Sequence, residues 1–239
     1  MATFVLVHGA FQGAWVYTKL ACLLRNSGHV VYTPTLTGTG ERSHLTGQKI
    51  NLDTHIQDVL NVFEFNDIND AILCGHSYGG MVITGVANLI SSRIRSLYYI
   101  DAYVPSSGQS LMDITGPETA QSFLSQASDS GDMIPPIPAS VFNVNDNDAA
   151  WVDSLSVPQP LATFVQAVRE GVESAAVSAI KRSFLYATRN GGNWFDSTYS
   201  HLKENPEWHV HEFSCGHSIM LDRPEELLSL LISDELSVR

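Results

Sequence analysis

Short apolar segments alternate with segments of helical periodicity, first between residues 3 and 101 and again from residue 180 onward. The segments with strand character are residues 3–8, 29–33, 70–75, 95–101, 180–188 and 208–213. The segments with apolar residues at helical spacing are residues 15–26, 53–65, 78–90, 193–202 and 224–236. Strands and helices in this order predict an α/β fold, with a mostly parallel sheet that helices cover on both faces. Residues 34–52 are polar and rich in Gly and Thr, which predicts a loop.

The alternation is interrupted between residues 105 and 175, where helical periodicity is weak and prolines are frequent. This segment contains nine acidic residues and one basic residue, Arg169, so it carries −8 of the chain's net charge of −12. We predict that residues 105–175 form a helical cap inserted into a core made of residues 1–104 and 176–239.

Composition narrows the class of protein. The chain has 239 residues, of which 44% are hydrophobic and 16% charged, so it can bury a sizeable core. A net charge of −12 argues against nucleic acid or an anionic membrane as a partner, because both need clustered positive charge. The cysteines, Cys22, Cys74 and Cys215, have no C-x-x-C spacing, which is typical of reduced thiols. With neither a secretory signal pattern nor a long apolar run, we expect a cytoplasmic protein.

Residues 75–79 (GHSYG) form a G-x-S-x-G motif between a predicted apolar strand and a predicted apolar helix. In this context the serine lies on a sharp, strained turn that lifts its hydroxyl clear of the sheet. The glycines on either side, Gly75 and Gly79, are needed because a Cβ there would collide with neighbouring backbone. The motif predicts that Ser77 is a catalytic nucleophile.

A serine hydroxyl needs a base to take its proton. His217 follows the last predicted strand directly, which places it at the same carboxyl edge of the sheet as Ser77. His209 and His211 alternate on one strand face, but no third ligand has suitable spacing. We therefore predict His217 as the base, and neither a metal ion nor a cofactor.

The acid that orients the base has three candidates. Asp101 comes directly after the apolar strand at residues 95–100, and a carboxylate partly buried there needs a partner. Asp196 and Asp222 are the alternatives, although Asp222 also fits an N-cap of the last helix with Glu225 three residues later. We favour Asp101.

The segment His8-Gly9-Ala10-Phe11 follows the first strand, and such a loop of small residues can aim a backbone N–H at an ester oxygen. The second donor would be the N–H of Tyr78, the residue after the nucleophile. We expect an apolar pocket beneath the 105–175 segment, with Phe11 as a substrate-binding residue. Its candidate aromatic residues are Phe11, Tyr103, Phe123, Phe142 and Trp151.

Four motifs together resemble the α/β-hydrolase superfamily: FVLVHGAFQGAW at residues 4–15, CGHSYGG at 74–80, YYIDAYVP at 98–105 and CGHSIMLDRPEEL at 215–227. They are most similar to the branch that contains plant methylesterases, hydroxynitrile lyases and related bacterial esterases. The resemblance implies an α/β-hydrolase fold, Ser77 as nucleophile, His217 as base, and the N–H groups of Ala10 and Tyr78 as the oxyanion hole.

The chain departs from this branch at two places. Plant members carry their acid in a Cys-Thr-x-Asp-like stretch, where this chain has Asn190; that supports an acid at Asp101, a placement known in other α/β-hydrolases. The hydroxynitrile lyases have a threonine and a lysine where this chain has Gly9 and Ser218. Without the lysine there is no cation to stabilise a departing cyanide, so the lyase hypothesis loses its specific support.

These observations predict a serine hydrolase that cleaves a small hydrophobic carboxylic ester through a Ser-His-Asp triad and an acyl-enzyme. The alternatives are a lyase or cofactor-independent C–C or oxygen chemistry on the same scaffold, and a non-catalytic ligand receptor. The expected partner is a small-molecule ester, with no nucleic acid and no membrane. The sequence leaves a homodimer open.

Overall fold

The computed structural model describes residues 1–46 and 49–236. The strands are β1 (Thr3–Val7), β2 (Val30–Tyr32), β3 (Ala71–His76), β4 (Ile94–Ile100), β5 (Met133–Ile134), β6 (Gln159–Pro160), β7 (Lys181–Ala187) and β8 (Trp208–Phe213). The α-helices are α1 (Thr18–Asn26), α2 (Leu52–Phe65), α3 (Gly79–Ile90), α4 (Leu111–Thr115), α5 (Pro117–Ser128), α6 (Asp146–Leu155), α7 (Ala162–Val165), α8 (Ala175–Ser178), α9 (Asp196–Lys203), α10 (Ile219–Asp222) and α11 (Pro224–Leu236). Short 3-10 helices lie at Ala14–Tyr17, Gly40–Leu45, Ser91–Arg93 and Ala139–Phe142.

Within the described ranges, six strands form one sheet in the order β2-β1-β3-β4-β7-β8, and every neighbouring pair is parallel. Each strand of the sequence pattern is present, displaced by no more than one or two residues, and the predicted fold class is confirmed. The carboxyl ends of β3, β4 and β7 are neighbours, because β4 pairs with both of the others. Loops that follow these strands therefore converge on one edge of the sheet.

Side chains of β1 show how the sheet is covered on both faces. Phe4 and Leu6 pack into one buried cluster with residues of α1 and α11, while Val5 and Val7 pack into the other with residues of α2 and α3. Successive side chains of a strand point to opposite faces, so an uninterrupted apolar run is what a sheet covered on both sides requires.

The connection between β2 and α2 is more ordered than the predicted loop at residues 34–52. It contains the 3-10 helix Gly40–Leu45, and it ends where Asn51 and Thr54 form a capping box at the start of α2. Residues 47–48 of the predicted loop lie outside the described part of the chain.

Residues 105–175 contribute no strand to the six-stranded sheet in the part of the chain that the structure describes. They hold the helices α4 to α7 and the first residue of α8, together with the small antiparallel pair β5 and β6. The division into a core of residues 1–104 and 176–239 and a cap of residues 105–175 stays a prediction. None of the described helices has the length and apolar character needed to cross a membrane.

Candidate active site

Ser77 lies at the turn between β3 and α3 with a backbone φ of +52°, in the left-handed region that a residue with a Cβ rarely adopts. The turn leaves no room for larger neighbours. A Cβ on Gly75 would lie 2.6 Å from the carbonyl oxygen of Gly79, and one on Gly79 would lie 2.7 Å from that of Val7. The strained turn expected from the G-x-S-x-G motif is therefore what the backbone adopts.

Asp101 follows β4 directly, and its carboxylate contacts the end of β7 and the loop after β8 at the carboxyl edge of the sheet. Its Oδ2 lies 2.7 Å from Nδ1 of His217, and its Oδ1 accepts a hydrogen bond of 3.0 Å from the backbone N–H of Ala187. Asp101 is fully buried and His217 nearly so. The geometry pairs the favoured candidate acid with the candidate base.

Burial opposes charge on both members of this pair. It raises the pKa of the Asp101 carboxyl, while the hydrogen bond from Ala187 and the neighbouring side-chain amide of Asn190 act in the opposite direction. Burial also lowers the pKa of His217 to about 3. At neutral pH the imidazole is therefore uncharged. With its Nδ1 proton directed at Asp101, its Nε2 lone pair is available to accept a proton.

The ring of His217 is held between aromatic side chains. Phe195 stacks on it with ring centroids 5.3 Å apart and an interplanar angle of 11°, and the centroid of Phe142 lies 4.9 Å away. The Nε2–H of His76 donates to the carbonyl of His217 at 3.2 Å. Sequence analysis missed the contribution of Phe195, because nothing in its local pattern indicates which ring it will contact.

The alternative acids have other partners. Asp196 accepts a hydrogen bond of 2.6 Å from the Tyr186 hydroxyl. Asp222 accepts a hydrogen bond of 2.9 Å from the N–H of Gly216 and one of 2.8 Å from the side chain of Asn145. Asp222 belongs to α10, so its carboxylate orders the loop before His217 instead of serving the predicted N-cap role at α11.

The loop after β1 brings two backbone donors toward Ser77. Neither Ala10 nor Tyr78 donates its N–H to a protein acceptor in the described part of the chain, and both residues line the same cavity as Ser77. Phe11 has a φ of +66°, and its N–H donates to the side chain of Gln159 at 3.1 Å. Gln159 is a second residue that sequence analysis missed, since it lies 148 positions from Phe11.

A small cavity of about 30 Å³ joins Ser77 and His217. No hydrogen bond links the hydroxyl of Ser77 to the ring of His217, although both side chains are described; such bonds often tighten only when substrate binds. The cavity has aromatic walls, contributed mainly by Phe11, Tyr103, Phe123, Phe142, Phe164 and Phe195.

Four of the five aromatic residues predicted for the pocket line this cavity, and Trp151 does not. Its side chain is 38% exposed and packs edge-to-face on Trp15, with ring centroids 5.0 Å apart. The described lining contains no Asp or Glu, so the acidic residues of the 105–175 segment do not face Ser77. Within residues 1–46 and 49–236, no three His, Cys, Asp or Glu side chains group closely enough to hold a metal ion.

The sequence model of the "Alpha/beta hydrolase family" matches residues 4–230. The chain belongs to the α/β-hydrolase family. A carbendazim hydrolyzing esterase from Nocardioides sp. (strain SG-4G) is 43% identical over 244 residues, covering 97% of this chain and 98% of that protein. The putative chloroplastic methylesterase 13 of Arabidopsis thaliana is 25% identical and covers 96% of this chain, which spans 55% of that longer protein.

Solved structures agree with this assignment. An extracellular α/β-hydrolase from a Paenibacillus species, described as sharing homology with tobacco Salicylic Acid Binding Protein 2, superposes with a TM-score of 0.79 at 27% identity and covers 98% of both chains. Tomato Methylketone Synthase I superposes with a TM-score of 0.83 at 23% identity, over 100% of this chain and 99% of that one, and shares the fold. With an esterase aligned along nearly the whole chain, this α/β-hydrolase is a carboxylic-ester hydrolase, as the sequence predicted.

Proposed function

We propose that this α/β-hydrolase cleaves small hydrophobic esters through an acyl-enzyme formed on Ser77. The observation that carries the proposal is the buried contact of 2.7 Å between Nδ1 of His217 and Oδ2 of Asp101, at the wall of the cavity that Ser77 also lines. A neutral imidazole fixed by a carboxylate beside a strained serine is the arrangement that acyl transfer needs.

In the first half-reaction, Oγ of Ser77 attacks the ester carbonyl and its proton passes to Nε2 of His217. Asp101 accepts the Nδ1–H and stabilises the imidazolium that forms. The backbone N–H groups of Ala10 and Tyr78 donate to the oxyanion; removing one such donor typically costs about 3 kcal/mol of transition-state stabilisation. The imidazolium then protonates the departing alcohol, and the acyl group stays on Ser77.

In the second half-reaction, water enters the place that the alcohol has left. His217 takes a proton from that water as its oxygen attacks the acyl carbonyl, and the same N–H donors stabilise the second oxyanion. Collapse of this intermediate releases the carboxylic acid and returns the proton from His217 to Ser77.

The cavity lining supports an uncharged, apolar substrate. Apart from Ser77 and His217, the side chains that line it are aromatic or aliphatic. A volume of about 30 Å³ holds roughly one water molecule, so an ester fits only when surrounding side chains move. Aryl esters and short acyl esters are the first substrates to test, with carbendazim beside them because a full-length relative is named for hydrolysing it.

The test compares hydrolysis of p-nitrophenyl acetate and butyrate by the wild-type enzyme, Ser77→Ala and Ser233→Ala. Ser233 is an exposed serine of α11 whose hydroxyl bonds to its own helix, which makes it a matched control. We expect Ser77→Ala to lose at least about 10⁴-fold in kcat and to resist labelling by a fluorophosphonate, with Ser233→Ala like wild type. Undiminished turnover by Ser77→Ala would contradict the mechanism. Ligand binding or bond cleavage without ester turnover would favour the receptor or the lyase.

A further inference from the structure

Both backbone polar groups of Phe11 form hydrogen bonds with the 105–175 segment. Its N–H donates to Oε1 of Gln159 at 3.1 Å, and its carbonyl accepts from the N–H of Val157 at 2.8 Å. The preceding residue, Ala10, is the candidate oxyanion donor. A segment nearly 150 positions away therefore restrains both backbone polar groups of the residue beside that donor.

The amide of Gln159 can face Phe11 in one orientation. Oγ1 of Thr163 donates its proton to the carbonyl of Pro160 at 2.6 Å, so it can only accept from Gln159, whose Nε2 lies 2.8 Å away. The other end of the amide is then the oxygen, directed at the Phe11 N–H. Both Gln159 and Thr163 are buried, which removes water as a substitute partner.

Phe11 needs such support because its φ of +66° is unfavourable for a residue with a side chain. A conformation of this kind persists where the surrounding structure over-determines it, and such sites are typical of active-site loops. The hydrogen bond from the Phe11 N–H to Gln159 orients the Ala10–Phe11 peptide, and the hydrogen bond from Val157 to the Phe11 carbonyl orients the next peptide, Phe11–Gln12. The N–H of Ala10 belongs to the preceding Gly9–Ala10 peptide, which meets the Ala10–Phe11 peptide at Cα of Ala10, so fixing the latter restricts the directions that this N–H can take.

The same segment also packs against the second donor residue. The ring of Phe164 lies 6.2 Å from that of Phe11 and 5.7 Å from that of Tyr78, centroid to centroid. This segment thus contacts Tyr78, which supplies one candidate oxyanion donor, and Phe11, which directly follows the other, Ala10.

We propose that Gln159 is a positioning residue of the oxyanion hole, which holds the Phe11 N–H so that the Ala10 N–H faces the carbonyl oxygen attacked by Ser77. This rests on the proposed esterase mechanism. Gln159 touches neither substrate nor the reacting atoms; it acts through the loop. A loop displaced by about 1 Å is enough to cost a reaction of this kind about 100-fold in rate.

The experiment replaces Gln159 with Met, which keeps the length of the side chain and removes the acceptor. Gln166→Met is the matched control, because Gln166 also lies in the 105–175 segment and also accepts a backbone N–H from the core, that of Asp53 at 3.2 Å. Two inhibitors are compared: a trifluoromethyl ketone, which forms a tetrahedral adduct with an oxyanion, and the matching methyl ketone, which binds without one.

We expect Gln159→Met to lower kcat by about 10- to 100-fold with little change in KM. It should also weaken binding of the trifluoromethyl ketone by a similar factor and leave binding of the methyl ketone unchanged. Gln159→Glu, which retains an acceptor oxygen, should restore part of kcat. Gln166→Met should behave like wild type. A purely structural role would lower thermal stability without this split between the two ketones.

The proposal is overturned if folded Gln159→Met keeps wild-type kcat and trifluoromethyl ketone affinity, or if Gln166→Met loses as much. Where Gln159→Met does not fold, the near-isosteric Thr163→Val, which frees the Gln159 amide to rotate, is judged by the same two criteria. Failure of the esterase mechanism would be seen in a different variant. In that case Ser77→Ala would still hydrolyse the ester, whatever the activity of Gln159→Met.

Discussion

Oδ2 of Asp101 lies 2.7 Å from Nδ1 of His217, although 116 positions separate the two residues in the chain. The contact arises because β4 and β7 are neighbours and the loop after β8 returns to the same edge of the sheet. Asp101 adopts a φ of +42° at the end of β4, which turns its carboxylate toward that loop. Asn190, which follows β7, places its side-chain amide beside the Asp101 carboxyl.

Replacing Asp101 with Asn should lower kcat for p-nitrophenyl acetate by about 10⁴-fold, because the amide stabilises the wrong tautomer of His217 and cannot stabilise the imidazolium. Steady-state kinetics on the purified variant measures this. Asp196→Asn is the control. Asp196 accepts a hydrogen bond from Tyr186 and forms none with His217, so this variant should lose little activity. A larger loss in Asp196→Asn than in Asp101→Asn would mean that Asp101 is not the acid of the triad.

The dependence of kcat/KM on pH should reflect the burial of His217. The base works in its neutral form, and that form is lost as the pH falls through its pKa. Burial lowers this pKa from its ordinary 6.5, which moves the acid limb of the profile below pH 6.5. Initial rates between pH 4 and 8, with circular dichroism at each pH to verify folding, measure the acid limb. An inflection at 6.5 or above would contradict a desolvated base.

Gly75→Ala should destabilise the fold through backbone crowding alone. The new Cβ would lie 2.6 Å from the carbonyl oxygen of Gly79, and neither backbone can move without disturbing the turn at Ser77. We expect a loss of about 3 kcal/mol or more in the free energy of unfolding. Gly28→Ala is the control: Gly28 follows α1 with a φ of +84° and no atom within 4 Å of the added Cβ, so only about 1 kcal/mol of conformational strain is expected. Urea denaturation of both variants distinguishes them, and equal losses would remove the steric argument.

The elements of the six-stranded sheet follow from local sequence. Apolar runs such as Thr3–Val7 are buried on both faces, and the helices that follow have apolar residues at helical spacing, so their period identifies them without tertiary information. The residue types and order of the motif around Ser77 are equally local, because the turn itself demands glycines at Gly75 and Gly79. The helices within residues 105–175 are less predictable, since several have only four or five residues and little periodicity.

The amino-acid sequence by itself therefore determined the parallel sheet, the strained turn at Ser77 and the late position of His217, because each depends on spacing along the chain. Only the tertiary structure decided which carboxylate meets His217, since Asp101, Asp196 and Asp222 all lie near strand or helix ends and differ in the partners that folding brings to them. The same holds for Gln159, whose hydrogen bond to Phe11 joins distant parts of the chain. Side-chain pairing across long separations depends on where the backbone returns, and no local period encodes that.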